Sequence, residues 1–118
     1  MARQKKIKPL LKTNCLSHGT VECHDLGSAR RFYEEVLGFE VVQTSDRSLM
    51  MRHGKGTTIA AVETKRKTAP GIYSHFGLDV SDRASVDEAH QLVVGARKEY
   101  GLKKITKPVF QHGTYSFY

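Results

Sequence analysis

A short motif that combines a histidine with nearby acidic residues occurs twice in the chain. LSHGTVECHD covers residues 16–25 and YSHFGLDVSD covers residues 73–82, and both follow the pattern Ser-His-x-x-apolar-acid-x-x-Asp. Imidazole binds divalent transition metals and acts as a general acid or base near neutral pH. The repeat therefore raises the hypothesis that two related units bring His18 and His75, which are 57 residues apart, to one site.

The residues after the first motif predict a helix and three strands. Asp25 is a good N-cap, apolar residues follow at helical spacing, and Gly38 marks the end of the helix. Alternating apolar residues separated by turn residues then predict strands in FEVVQTS, SLMMRH and TTIAAVET. With the strand that carries the motif, this unit has the order strand, helix, three strands.

The second motif begins the same order again after the connector KRKTAPG. A strand in IYSHFGLDVS is followed by a helix that begins at Asp82 and ends at Gly101, and KKITKPVFQ and GTYSFY are predicted strands. The second unit is short by one strand. We therefore predict an α+β domain of two related units, at about residues 14–67 and 72–118, after a basic arm at residues 1–13.

Side-chain alternation separates the histidine of each motif from its apolar neighbours. In the first copy His18 shares one strand face with Thr20 and Glu22, whereas Val21 and Cys23 lie on the other. A helix can cover the apolar face, so the histidine face is expected to look toward the inside of the sheet. Two matching histidines would then converge near the axis that relates the units, which is how a duplicated unit makes a metal site.

Length and charge limit the function classes. A chain of 118 residues is one domain by expectation. Five of the 19 basic residues fall in residues 1–13, where there is no acidic residue, so the remainder carries 14 basic against 12 acidic residues. No recognition helix or aromatic stacking pattern accompanies the basic arm, so nucleic-acid binding is not expected. The sequence has neither a membrane-spanning run nor a secretory signal, which predicts a cytoplasmic protein.

The stretch LSHGTVECHDLGSARRFYEEVLGFEVV resembles the opening of the vicinal oxygen chelate superfamily, also called the glyoxalase, bleomycin resistance protein and extradiol dioxygenase fold. The matching residues are His18, Asp25-Leu26, Phe32-Tyr33 and Leu37-Gly38-Phe39. The resemblance covers about residues 14–118. It implies paired βαβββ modules that form a curved mixed sheet around a cavity, in which a divalent metal holds two adjacent oxygens of a small-molecule substrate.

The resemblance also implies roles for individual residues. His18 and His75 match metal ligands, and Glu63 matches a further carboxylate ligand of glyoxalase I enzymes. His112 and Tyr118 match the acid-base histidine and the substrate-binding tyrosine of extradiol dioxygenases. Family members continue after the counterpart of GTYSFY with a final strand that carries a glutamate ligand. Because this sequence stops at Tyr118, we expect it to be a fragment that lacks that strand.

Several interpretations remain open on this basis. The first is an extradiol-type dioxygenase that binds a catechol-like diol on Fe(II), and the second is a glyoxalase I-like lyase with Zn, Ni or Co; Mn is a further alternative metal. The third is a metal-free, drug-binding resistance protein, and the fourth is a basic-armed interaction protein. The resemblance also implies a homodimer. Glu63 lies beside the basic TKRK and is equally interpretable as a surface ion pair, and His112 and Tyr118 as loop and core residues.

Overall fold

The first half of the chain folds as a strand, a helix and three further strands in the computed structural model, which describes residues 7–66 and 75–118. The elements are β1 (His18–Cys23), α1 (Leu26–Glu35), β2 (Glu40–Ser45), β3 (Ser48–Arg52) and β4 (Thr58–Glu63). This is the order predicted for the first unit, so that part of the prediction is confirmed.

Local sequence signals explain both ends of α1. The Asp25 side chain accepts a hydrogen bond from the Ser28 backbone N–H at 2.8 Å, which satisfies one of the free N–H groups of the first helical turn. Gly38, two residues beyond the C-cap Val36, has a φ of 72°, a left-handed conformation that glycine adopts without a steric penalty. The chain then reverses into β2.

The four strands form one mixed, unclosed sheet in the order β1-β4-β3-β2. β1 runs parallel to β4, whereas β3 is antiparallel to both β4 and β2. The strand register gives the sheet two distinct faces. One face carries Val21, Cys23, Ala61, Leu49 and Met51 and is called the core face; the other carries His18, Thr20, Glu22, Thr58, Ala60 and Val62 and is called the open face.

Helix α1 packs on the core face. Leu49 is 1% exposed, and Met51 and Ala61 are fully buried. Leu26 of the helix, Phe39 after it and Val41 of β2 complete this cluster. The partly buried side chains packed around it are Val21, Cys23, Tyr33, Leu37, Ile59 and Phe76. The apolar face of β1 is thus covered by a helix, as the alternation predicted.

The second half departs from the predicted repeat. Residues 75–81, the described part of the strand predicted in IYSHFGLDVS, are not in a strand, and residues 72–74 lie outside the described residues. The predicted helix is present as α2 (Arg83–Gly95), again with an aspartate N-cap, Asp82, and is followed by a short α3 (Arg97–Tyr100). Two short strands, β5 (Val109–Gln111) and β6 (Thr114–Ser116), form a separate hairpin rather than an extension of the sheet.

Aromatic and polar contacts join the two halves. The Phe76 ring stacks on Tyr33 with centroids 6.2 Å apart and lies 6.0 Å from Phe39. Two residues before Tyr33 in α1, Arg31 forms a salt bridge with Glu99 at 3.3 Å. Residues 7–13 of the basic arm are exposed and without regular structure, whereas residues 1–6 lie outside the described residues. Within the described ranges, no helix is long and apolar enough to cross a membrane.

Candidate functional site

A cavity of about 1360 Å³ lies between α1, residues 75–80, α2 and the end of the chain. Apolar side chains of α1 and α2 form two of its walls, and β6 with the residues after it forms a third. Seven phenylalanine and tyrosine side chains line it, namely Phe32, Tyr33, Phe76, Tyr100, Tyr115, Phe117 and Tyr118. A concave, largely apolar cavity with a few polar groups is typical of small-molecule binding sites.

Two of the sequence-predicted site residues meet in the wall of this cavity. The His75 imidazole and the Tyr118 ring contact each other edge to face, with centroids 5.0 Å apart. Two hydrogen bonds join Thr106 to the backbone of Tyr118. Its hydroxyl accepts a hydrogen bond from the Tyr118 N–H at 2.7 Å, and its own N–H donates to the Tyr118 carbonyl at 2.6 Å.

His18 lies elsewhere, on the open face at the start of β1. Its Nδ1 lies 2.6 Å from the Ser17 hydroxyl, and the residue is exposed. It is absent from the described residues that line the cavity. The structure therefore does not bring His18 and His75 together in one cavity wall of a single chain.

Glu63 points to the opposite face from His18. In the parallel pair of β1 and β4, His18 is opposite Thr58 and Cys23 is opposite Glu63. The two residues are thus five positions apart, about 16 Å along the strands, and have opposite parity. The Glu63 carboxylate accepts a hydrogen bond from the Leu26 N–H at 3.1 Å. Burial, together with this carboxylate, raises the pKa of the Cys23 thiol, as expected for a group on the core face.

His112 occupies a tight turn rather than the cavity wall. It is exposed between β5 and β6 and has a φ of 50°, a left-handed conformation that is uncommon outside glycine. Gly113 follows with a φ of 80°, so the pair forms the two-residue turn of the hairpin. The position gives His112 a conformational role, and His112 is not among the described residues that line the cavity.

The chain therefore has the residue types that bind a metal, but the structure does not bring His18, His75 and Glu63 together. Two imidazoles suit Fe(II), Zn, Ni, Co or Mn. In residues 7–66 and 75–118, however, no three His, Cys, Asp or Glu side chains form a group that could hold a metal ion. The described part of a single chain does not fit a complete metal centre.

The cavity wall contains polar residues that the sequence analysis did not single out as site residues. Asp79 and Arg83 line it, and His53 does so at the end of β3, with its ring 5.4 Å from Phe39. A signal for Asp79 was present, because it is the acid of the second motif and corresponds to Glu22 of the first. No sequence pattern pointed to Arg83, whose place in the wall depends on how the hairpin packs against α2.

Burial affects one hydroxyl of the cavity. Desolvation raises the pKa of Tyr33, whose ring contacts those of Phe39 and Phe76. The neutral Tyr33 hydroxyl is a hydrogen-bond donor or acceptor at the edge of an aromatic cluster.

Comparisons with known proteins agree with this architecture. The profile of the glyoxalase/bleomycin resistance protein/dioxygenase superfamily matches residues 16–116. A structure described as a possible glyoxalase from Bacillus cereus has a TM-score of 0.66 and 23% identity, over 87% of this chain and 86% of that one. A lactoylglutathione lyase from Agrobacterium tumefaciens has a TM-score of 0.61 and 18% identity, over 90% and 84% of the two chains.

A third structure belongs to the same group. It is a glyoxalase/bleomycin resistance protein/dioxygenase from Alicyclobacillus acidocaldarius, with a TM-score of 0.54 and 19% identity over 84% of this chain and 74% of that one. A comparison with curated protein sequences gives no match. At these identities the similar structures establish the fold.

Proposed function

Since the chain belongs to the glyoxalase/bleomycin resistance protein/dioxygenase superfamily, we propose that it is a metal-dependent enzyme of that superfamily, an extradiol-type dioxygenase acting on a catechol-like diol. Superfamily membership supports a small-molecule substrate and a divalent metal. Membership alone does not select the reaction, because one fold carries many chemistries. The choice of reaction depends on the residues of the cavity wall.

The observation that carries the proposal is the contact between His75 and Tyr118. The resemblance implied a ligand role for the first and a substrate-binding role for the second, and the two rings are 5.0 Å apart in one cavity wall. The Tyr118 hydroxyl makes no hydrogen bond with the described residues, so it is available to donate to a substrate oxygen. The neighbouring aromatic rings provide a surface on which a planar diol can stack.

An Fe(II) ion held by two imidazoles and one carboxylate has open positions for a diol and for dioxygen. In this proposal His18 and His75 are the imidazole ligands. Because the described residues of one chain do not bring these two imidazoles together, a second copy would have to supply one of them. A carboxylate from that copy or from outside the described residues would complete the site. A homodimer that brings His18 of one copy toward His75 of the other is consistent with the open sheet face on which His18 lies.

The position of Glu63 favours the dioxygenase over a glyoxalase I-like lyase. The lyase interpretation uses Glu63 as an additional ligand, whereas the dioxygenase interpretation does not. Glu63 lies on the core face and its carboxylate is engaged by the N-terminus of α1. A ligand role beside His18 would require Glu63 to change the face of the sheet that it points to.

A metal-free binding protein is the second candidate function. It is favoured by the cavity itself, which is lined by aromatic rings and is present without any cluster of three ligand side chains among the described residues. In that case His75 would be a wall residue that contacts the bound molecule.

Metal analysis of the full chain, purified without oxygen, separates these functions. The unchanged chain is compared with His18→Ala, His75→Ala and Glu63→Gln by elemental mass spectrometry, and the oligomeric state is measured by light scattering. Iron near one equivalent, lost in both histidine variants and kept in Glu63→Gln, supports the dioxygenase. Oxygen consumption with catechol is then the activity assay.

The other outcomes are equally informative. Zinc, nickel or cobalt that is lost in Glu63→Gln would overturn the proposal in favour of the lyase. An unchanged chain that binds no added iron, zinc, nickel, cobalt or manganese would overturn metal dependence and leave the binding protein. His53→Ala serves as a matched control, because it removes an imidazole from the same cavity that the proposal does not use.

A further inference from the structure

An arginine in the cavity wall lies over two adjacent aromatic rings. Arg83 is the first residue of α2, and the carbon at the centre of its guanidinium lies 4.8 Å from the centroid of the Phe110 ring and 5.0 Å from that of Tyr115. Both rings belong to the β5–β6 hairpin. Aromatic faces attract a guanidinium and restrict its plane, so the Arg83 side chain has a defined orientation although it is exposed.

The carboxylates nearest to Arg83 in sequence are engaged by other groups. Asp87 lies one helical turn away, where an acid commonly pairs with an arginine, but its Oδ1 accepts a hydrogen bond from the Tyr115 hydroxyl at 2.7 Å. Asp82 accepts a hydrogen bond from the Ser85 N–H at 2.8 Å. The Arg83 guanidinium makes no hydrogen bond or salt bridge with any described residue, so its N–H donors are available to a ligand in the cavity that Arg83 lines.

The position of Arg83 at the N-terminus of α2 does not stabilise its positive charge. A cation in the first turn of a helix interacts unfavourably with the positive end of the helix dipole. Arg83 is also the single lysine or arginine among the described residues of the cavity wall. That wall contains three carboxylates. Glu35 is bound by Arg31 and Tyr100, and Asp82 accepts a hydrogen bond from Ser85. Asp79 is the remaining carboxylate among the described residues of the wall.

We propose that Arg83 binds an anionic group of the cavity ligand, so that the ligand is an aromatic compound that carries a carboxylate. The planar guanidinium matches a carboxylate through two parallel hydrogen bonds, and the aromatic lining accepts the ring. This inference rests on the proposed function in so far as it names the substrate class of the same cavity. The binding step itself requires neither a metal nor a diol.

Benzoate and benzamide are the probes, because they have nearly the same shape and differ in charge. The full chain is titrated with each by NMR, together with Arg83→Gln, Arg83→Lys and the control Arg52→Gln, which removes an arginine from a surface ion pair outside the cavity. We expect the unchanged chain to bind benzoate about tenfold more tightly than benzamide. Arg83→Gln removes this preference, Arg83→Lys reduces it, and Arg52→Gln keeps it.

Equal affinity for the two probes in the unchanged chain overturns the inference, and so does a benzoate preference that persists in Arg83→Gln. If Arg83→Gln does not fold, the test uses the unchanged chain and Arg83→Lys. A preference for benzoate over benzamide that is reduced in Arg83→Lys supports the inference, and one that is not reduced overturns it. A chain that prefers benzoate but contains no metal keeps the inference and loses the proposed enzyme. A chain that contains iron and consumes oxygen with catechol, but has no preference for benzoate, keeps the enzyme and loses the inference.

Discussion

The Glu63 carboxylate accepts a hydrogen bond from the backbone N–H of Leu26, with 3.1 Å between Oε2 and the nitrogen. This bond ties the end of the last strand of the sheet to the first residue of α1, across 37 residues of sequence. Helix N-termini have free N–H groups and a positive partial charge, so a carboxylate there is stabilising. Glu63 therefore connects the helix to the sheet on which it packs.

We expect Glu63→Ala to lower the free energy of unfolding by about 1–3 kcal/mol, since it leaves a partly buried N–H without its charged acceptor. Glu63→Gln should cost less, because the amide oxygen can still accept the bond. Urea denaturation followed by circular dichroism measures both. Glu40→Ala is the control, because the Glu40–Arg52 pair is exposed and such pairs contribute about 0–1 kcal/mol. Equal losses at both positions would argue against this role.

The N-cap of α1 makes stability depend on pH in the acid range. Hydrogen bonds from Ser28 hold the pKa of Asp25 below its ordinary value of about 3.9. Because the folded-state pKa is the lower one, this stabilisation is present above the unfolded-state pKa and is lost as pH falls through the folded value. Asp25→Ser keeps a capping group that does not titrate. Denaturation between pH 2 and pH 6 should give a flatter pH profile for Asp25→Ser, and an identical profile would contradict the prediction.

The first half of the fold was predictable because its signals are local. Asp25, Gly38 and the alternating strands each specify their own conformation, and the predicted elements agree with β1 to β4 and α1. The cap of α2 was predictable for the same reason, since Asp82 accepts a hydrogen bond from Ser85 just as Asp25 does from Ser28.

The rest depends on contacts that are distant in sequence. Residues 75–80 alternate as a strand would, yet alternation creates no hydrogen-bond partner, and these residues instead pack through Phe76 against Tyr33 and Phe39. The face to which Glu63 points follows from the β1–β4 register, in which a shift of one residue would reverse it. The place of Arg83 over the adjacent rings of Phe110 and Tyr115 requires the hairpin to dock on α2.

Phe76 should contribute more to stability than the other residues of the irregular segment 75–80. Its ring joins this segment to the core cluster through Tyr33 and Phe39. Phe76→Ala should lower the free energy of unfolding by about 2–3 kcal/mol, less than a fully buried phenylalanine would because the side chain is partly exposed. Leu92→Ala, at a side chain that is 67% exposed, is the matched control. A similar small loss in both variants would show that the segment is not anchored there.

The Tyr115 hydroxyl provides a reporter for the Arg83 environment. Its hydrogen bond to Asp87 raises the pKa of Tyr115, burial and the Asp87 charge raise it further, and the Arg83 charge lowers it. Asp87→Asn should therefore lower the pKa of Tyr115 toward its ordinary value of about 10, whereas Arg83→Gln should raise it. A pH titration of the tyrosine ring carbons by NMR measures both shifts, with Asp79→Asn as a control.

The same shift gives stability a dependence on alkaline pH. Because the pKa of Tyr115 is higher in the folded state, the stabilisation is complete below the unfolded-state pKa and is lost as pH rises through the folded value. Asp87→Asn should flatten the decline of stability above pH 9, measured by urea denaturation at successive pH values. Shifts of the Tyr115 pKa with the same sign in Asp87→Asn and Arg83→Gln would contradict this arrangement, in which the carboxylate raises that pKa and the guanidinium lowers it.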